Sequence, residues 1–435
     1  MKFIENVEKD RFNAFAINHP LNHYSKTSYF IDFKKPEFYD GDLLGVEDDE
    51  GNLIATALMI HKKTKFPFSQ FSYIQYGFNL DYENKELLEF FMNELKEYAK
   101  RKGSFFLRID PNITRLEHEK DGKIKENGFN HEYVTALFQK CGYTHLGYNY
   151  GYSGNWMSRY TYRLDLDQPL NKVLKGIKRC SQYNNKNEQR DVHVHKATID
   201  ELPVLCEGQE ELAKKLGFEP YGLAYFQKLW KCYAPYVHYY VVSTNFHTAK
   251  CNLEAIVQQD ENKLKTMKDE NKKAPIIKSI DAMKKEIQEI VDQGLDVDQQ
   301  VALGAKFIIM QGVNVWNVNM YTKKTLMNFR AAFALHRYAI EDLYNQGAKT
   351  YDFEGISGSL DPKDEYYGQQ DFKKSFGGDF LEFLGEFDAV FDQKKYDLWF
   401  KTDHMYRRVR RKLRYIFNKK KAMFAYFQSV DKVTF

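Results

Sequence analysis

The sequence predicts an α/β chain interrupted by a helical hairpin. Three observations carry that expectation. Strand-like and helix-like patterns alternate over residues 1–160. The alternation restarts at residue 161 and resumes after residue 305. Between them, residues 246–305 turn rich in Lys, Glu, Asp and Gln and carry a heptad of apolar positions. With 435 residues, the chain has room for two or three domains and a large buried core.

The elements follow in order. The run from Asp42 to His61 reads as two strands joined by the turn Asp49-Glu50-Gly51-Asn52. Glu86 to Arg101 reads as an amphipathic helix, with Leu87, Leu88, Phe91, Leu95 and Tyr98 on one face. The apolar strand Phe105–Ile109 follows. It should end at Asp110-Pro111, because proline has no N–H for a ladder.

The second alternation opens with a strand (TYRLDLD, 161–167) and a helix around Leu170–Ile177. It continues through a helix near Ile199–Leu216 to the strand His238–Ser243. In the polar segment, Ile276, Ile280, Met283, Ile287 and Ile290 step by 4, 3, 4 and 3. Leu253, Ile256, Leu264 and Met267 form a weaker stripe upstream, and a break is expected at Pro275. Two helices of about 20–25 residues would fold back into an arm of about 30–40 Å. A disordered charged linker is the alternative, and the regular isoleucine spacing argues against it. After the arm come a strand-like region (Ala305–Tyr321), a helix (Phe329–Gln346) and the strand Thr350–Phe353. The arm is thus an insertion within the second α/β unit.

Composition excludes several classes. Apolar residues make up 43% and charged residues 29%, which suits neither a disordered tail nor a membrane-spanning chain. No run approaches the 18 apolar residues of a membrane span, so membrane contact would be peripheral. The start, MKFIENVEKDRF, has no apolar signal region. Five widely spaced cysteines without a CxxC pair point away from a disulfide framework and toward a reducing cytosol. Net charge is only +4, but residues 401–435 alone hold +9. Met405, Val409, Leu413, Ile416, Phe417, Phe424 and Phe427 give that tail an apolar face. It suits anionic lipid or RNA, or a closing helix packed on the first domain.

Several chemistries have no motif here. There is no GxxxxGK[ST] loop, no HExxH and no GxSxG elbow. His193 and His195 alternate as on a strand and read as surface positions rather than metal ligands. No metal and no cofactor are expected. An enzyme of this kind would use a donor that arrives already activated.

A set of ordered segments resembles the Fem family of peptidoglycan-bridge aminoacyltransferases. They are residues 81–111 (DYENKELLEFFMNELKEYAKRKGSFFLRIDP), the arm at 246–305, residues 351–387 (YDFEGISGSLDPKDEYYGQQDFKKSFGGDFLEFLGEF) and the basic tail. The arm makes the chain more similar to arm-bearing members than to armless ones. The resemblance implies two GNAT-like (acetyltransferase-type) domains, an α/β fold with an antiparallel coiled-coil arm in the second. The first would span 1–160, with 388–435 packed on it. The second would combine 161–245 and 306–387.

It also implies transfer of an amino acid from aminoacyl-tRNA to the stem-peptide lysine, or growing bridge, of lipid II. The setting would be cytoplasmic, peripheral at the inner membrane face, with a homo- or heterodimer of related acyltransferases as a further expectation. The alternative is a non-catalytic paralogue that binds precursor or a partner enzyme through the arm. A CoA-dependent acyltransferase is disfavoured, because no [RQ]xxGx[GA] pyrophosphate loop is present.

The resemblance implies site residues too. Phe372-Lys373 matches the family's Phe-Lys pair, with Lys373 as stabiliser of the oxyanion and Phe372 as its wall. Asp110 corresponds to an acidic catalytic position close to the acceptor, where a carboxylate could orient or deprotonate the incoming ammonium or else merely cap the turn before Pro111, and Arg108 of the same LRIDP motif joins the binding set. Lys34, with Lys35 as neighbour, matches a basic position meeting the sugar-phosphate of the acceptor. Tyr225 and Tyr321 correspond to cleft-lining positions. Gly355, Ser357 and Gly358 form a loop whose glycines let backbone approach a ligand. The chain departs from the family at Tyr221, where an arginine is usual, in the diluted basic helix IKRCSQYNNKNEQR, and at Met320-Tyr321-Thr322.

Overall fold

The computed structural model describes residues 1–402, except 36–38, 65–66, 153–155, 217–219 and 324–326. The basic tail beyond residue 402 therefore lies outside the described residues.

Two seven-stranded mixed sheets organise the chain, the layout expected of two GNAT-like units. The first sheet contains β1 (Lys2–Ile4), β2 (Tyr39–Glu47), β3 (Leu53–Thr64), β4 (Ser69–Ile74), β5 (Ser104–Ile109) and β6 (Thr144–His145). The second contains β7 (Tyr160–Asp165), β8 (Val192–Lys196), β9 (Val237–Asn245), β10 (Gln300–Gln311), β11 (Asn314–Thr322), β12 (Thr350–Ile356) and β13 (Asp379–Glu382). The chain then returns, and β14 (Phe387–Val390) completes the first sheet. The strand orders are β1-β2-β3-β4-β5-β14-β6 and β13-β7-β12-β11-β10-β9-β8.

Local chemistry explains the elements. The β2–β3 turn forms because Asp48 accepts the backbone N–H groups of Glu50 and Asn52, at 3.0 and 2.8 Å. Gly51 supplies the left-handed residue, at φ 82°. The helix Lys85–Arg101 is capped by Asn84, which accepts from the Leu87 N–H, and has Lys100 and Arg101 in its last turn. Its five expected apolar residues are all buried.

Each sheet has its own core, and a third apolar cluster joins the units. In it, Phe12, Phe30 and Phe33 of the first unit meet Leu202, Phe226 and Phe307 of the second. Burying each large side chain stabilises by about 1.5–3 kcal/mol, so the two units present one continuous packed body.

The arm is a pair of helices, Phe246–Thr266 and Glu270–Asp292. Leu253 and Val257 pack on Ile280 and Met283 between them. Its root is clamped by a buried ion pair, Arg190 Nε to Glu286 Oε2 at 2.9 Å. Two expectations shift. The helix does not break at Pro275; the turn comes earlier, at Met267–Asp269, where Asp269 caps the Asn271 N–H at 3.0 Å. Pro275 lies in the second turn of its helix and removes a single hydrogen bond close to an end that already lacks several. The strand after the arm starts at Gln300, inside the segment assigned to the arm, because polar Gln300 pairs with Asn245 at the sheet's end. No helix among the described residues is long and apolar enough to cross a membrane.

Candidate active site

The site forms where β12 ends. Along β12, Asp352 pairs with Arg163 of β7, but the next pair is Gly355 with Thr161. One extra residue is therefore accommodated, a β-bulge. Glu354 occupies it in the left-handed region, at φ 60°. For a residue with a long side chain this conformation is sparsely populated and has to be held by its surroundings. Two bonds hold it here. The Glu354 N–H donates to Asp352 Oδ1 at 2.8 Å, and Lys373 Nζ donates to the Glu354 carbonyl at 2.8 Å.

Lys373 lies in the last turn of the helix Tyr367–Lys374. Its Nζ also donates to the Gly355 carbonyl at 2.8 Å. No described carboxylate reaches it as a direct ion-pair partner. An ammonium has three N–H donors, and carbonyls take two of them. The residue is 9% exposed. Burial pushes its ammonium down to about 8, while Glu354 and Asp352 oppose the shift.

A narrow cleft made of two adjoining pockets opens between the units at this point. Glu354, Gly355, Arg163 and Trp316 line it from the second unit, and His23, Tyr76 and Asn112 from the first. Lys373 stands behind the wall formed by Glu354 and Gly355. The cleft continues past Tyr76 and Ser158 to Asp110 and Glu386.

Glu354 Oε1 has no hydrogen-bond partner among the described residues, and neither has His23 Nε2. The two atoms face each other at 3.6 Å. His23 is 4% exposed. Its Nδ1 lies 2.7 Å from Ser25 Oγ and 3.2 Å from the Ser25 backbone nitrogen. Burial and the charge of Lys26 hold this ring well below the usual histidine range. Burial and the neighbouring Asp352 push the Glu354 carboxyl up to about 8, against Lys373 and Arg163.

The other expected residues divide into groups. Gly355, Ser357 and Gly358 sit with Lys373. A Cβ on Gly355 would lie 2.6 Å from Ser158, and one on Gly358 2.2 Å from the Tyr160 ring, so both glycines are needed for close packing. Gly358 also has φ 75°. Ser357 is fully buried, with Oγ 3.3 Å from Gln370 Oε1. Phe372 packs edge-on to Phe333 and contacts the His336 ring. Asp110 is 6% exposed and accepts from the Tyr73 hydroxyl at 2.7 Å and the Tyr76 N–H at 2.8 Å. Burial and Glu386 push its carboxyl well above the usual range.

Arg108 is not delivered to the cleft. Its guanidinium is locked on Asp388 at 2.8 and 2.7 Å and on Glu386 at 3.1 Å, with Trp156 stacked 4.2 Å away. Tyr321 also stands apart, packed on Gly208 and donating to Glu211. Lys34, Lys35 and Tyr225 form a second group. Lys34 Nζ lies 5.1 Å from the Phe33 ring, and that ring meets Tyr225 edge-on at 5.1 Å. Lys228 Nζ donates to the Lys35 carbonyl. Tyr221, the departure from the family pattern, stacks on Tyr225 at 4.1 Å.

His193 and His195 lie on β8, bonded to Asp191 and Glu201, each at 2.8 Å. Glu354, His23 and Arg163 are cleft residues that sequence reasoning missed. A usable signal existed for Glu354: two carboxylates two positions apart on a strand, just before a glycine.

The FemAB family model matches residues 7–401. The chain belongs to the FemAB family. It is 27% identical over 402 residues to aminoacyltransferase FemA of Staphylococcus aureus (strain bovine RF122 / ET3-1), covering 89% of this chain and 94% of that protein. FemA of Staphylococcus epidermidis is 25% identical over 412 residues, covering 92% and 98%. The crystal structure of FemX superposes with a TM-score of 0.71 at 20% identity, over 92% of this chain and 99% of that one, which establishes the shared fold.

Proposed function

We propose that this FemAB chain is an aminoacyltransferase of peptidoglycan bridge synthesis. It takes an amino acid from aminoacyl-tRNA and joins it to the side-chain amine of the stem-peptide lysine, or to a partly built bridge, on lipid II. The work is done in the cytoplasm, at the inner face of the membrane.

The reaction is aminolysis of an ester. Negative charge grows on the carbonyl oxygen as the amine attacks. A fixed donor aimed at that oxygen is the most effective aid a protein can give. One observation carries the reading. Lys373 is a buried ammonium beside the inter-unit cleft, bound by two carbonyls and by no direct carboxylate partner. Its remaining N–H is the oxyanion donor, and Phe372 fixes the helix that presents it. The Lys34 and Tyr225 group is suited to the sugar-phosphate portion of the acceptor, since a compact ammonium beside aromatic rings meets a phosphate as a point charge. Tyr221 stands in place of one guanidinium, so binding there relies on fewer charges.

The test is direct. The purified protein is incubated with lipid II and radiolabelled aminoacyl-tRNAs, and label is sought on the precursor. Transfer is expected, and it should weaken steeply with added salt, as phosphate contacts require. Lys373→Met should slow it at least ~100-fold. Undiminished transfer by that variant removes the oxyanion role. No transfer by the native protein, beside a working control enzyme, removes the reading itself.

A further inference from the structure

Acyl transfer to a lysine amine leaves a proton unaccounted for. The amine arrives as an ammonium, with an ordinary value of about 10.4, and only its neutral form has a lone pair to attack with. Lys373 is a cation serving the oxyanion. Asp110 already accepts at both oxygens, from Tyr73 and from the Tyr76 backbone. His23 is buried, and burial and Lys26 hold its ring well below the usual histidine range, so it is a poor acceptor for this proton. The carboxylate that lines the cleft with an oxygen still open is Glu354.

We propose that Glu354 is the catalytic base that removes the proton from the acceptor ammonium. This deepens the aminoacyltransferase reading and rests on it. Three features of the structure converge. Glu354 Oε1 is buried and lacks a hydrogen-bond partner among the described residues. The bulge and the left-handed backbone turn this side chain toward the cleft, and bonds on both flanks pin that backbone. His23 Nε2 of the other unit faces the same oxygen at 3.6 Å.

The charged and titratable groups around Glu354 are Asp352 on its own strand, Arg163 on β7, Lys373 on the following helix, and His23, Tyr24 and Tyr76 from the first unit. Burial and Asp352 raise the carboxyl's proton affinity; Arg163 and Lys373 restrain the rise. A base whose affinity lies closer to that of the acceptor amine takes its proton with less of a penalty.

The step balances. Glu354 takes one proton from R–NH3⁺. The nitrogen lone pair forms the C–N bond at the ester carbonyl, whose π pair moves to the oxygen beside Lys373. That pair then re-forms the carbonyl and breaks the C–O bond to the tRNA ribose. A second proton passes from the attacking nitrogen to the leaving ribose oxygen. Glu354 finally returns its proton to solvent.

The experiment compares two acceptors with native protein, Glu354→Gln and Glu354→Asp. One is a stem peptide carrying lysine. The other carries an aminooxy group in place of the lysine amine, which is unprotonated at neutral pH. Glu354→Gln should slow transfer to the lysine acceptor by ~100-fold or more and to the aminooxy acceptor by less than ~10-fold. It should also abolish the acidic limb of the kcat/KM profile, while Glu354→Asp keeps that limb and part of the rate. Equal losses for both acceptors, or no loss, overturn the proposal.

A native protein that transfers to neither acceptor would overturn the tRNA-dependent reading instead. Glu354 is then read without turnover, by ¹³C NMR of labelled glutamate carboxyls, its resonance being the one missing from Glu354→Gln. Titration near 8 supports a base in waiting; titration at about 4.3, the ordinary glutamate value, overturns it.

Discussion

The ends of β5 and β12 place similar groups in opposite states. At β5, Arg108 is matched by two carboxylates, and both oxygens of Asp110 accept hydrogen bonds. At β12, Lys373 bonds only to carbonyls, and Glu354 keeps an oxygen open. Buried polar groups are normally satisfied, so a satisfied cluster reads as architecture and an incomplete one as chemistry. On the proposed reading, the first unit's cluster serves stability and the second's serves turnover.

Substitutions can break that contrast. The largest effect is expected from Arg108→Met, which strands Asp388 and Glu386 as buried, unpaired charges. It should destabilise by about 3–5 kcal/mol, read from urea unfolding. Lys373→Met should do the reverse. Transfer falls at least ~100-fold, while the two uncapped carbonyls lower stability by only about 1–2 kcal/mol. Comparable stability losses in both variants would erase the distinction.

A pH series sharpens it further. Glu354 has its proton affinity raised in the fold, from 4.5 to about 8. The folded state therefore holds more protons over that window, and this contribution to stability falls as pH rises through it. Lys373 is lowered from 10.5 to about 8, so its contribution rises between about 8 and 10.5. Native stability minus that of Glu354→Gln should slope downward from about pH 5 to 8. The same difference for Lys373→Met should slope upward above 8. Flat differences would mean that neither group is perturbed by burial. The smallest effect is expected from Asp110→Asn. It keeps one acceptor and resembles a protonated carboxyl, so stability should drop by about 1 kcal/mol and the rate by less than ~10-fold. A larger rate loss would move Asp110 from architecture into the chemistry.

Sequence periodicity made the helix Lys85–Arg101, the β2–β3 hairpin and the arm legible, because each depends on neighbours within a few turns of chain. The arm's turn was misplaced because a proline near a helix start costs little, while the Asp269 cap decides the boundary. The Lys373 position came from resemblance to a family motif, not from any local pattern. The capture of Arg108 by Asp388 spans 280 residues, and no spacing rule reaches that far. The conformation of Glu354 was out of reach for a related reason. Its left-handed backbone is imposed by Asp352 and Lys373, and glutamate has no intrinsic preference for that conformation.

The late return of β14 bears on how the molecule is born. On the ribosome, β5 emerges long before its partner, and until residues 387–390 are translated it presents an open, largely apolar edge that also carries the unpaired Arg108. The nascent first unit is thus a natural client for chaperones, and an amino-terminal fragment made alone would be prone to aggregate.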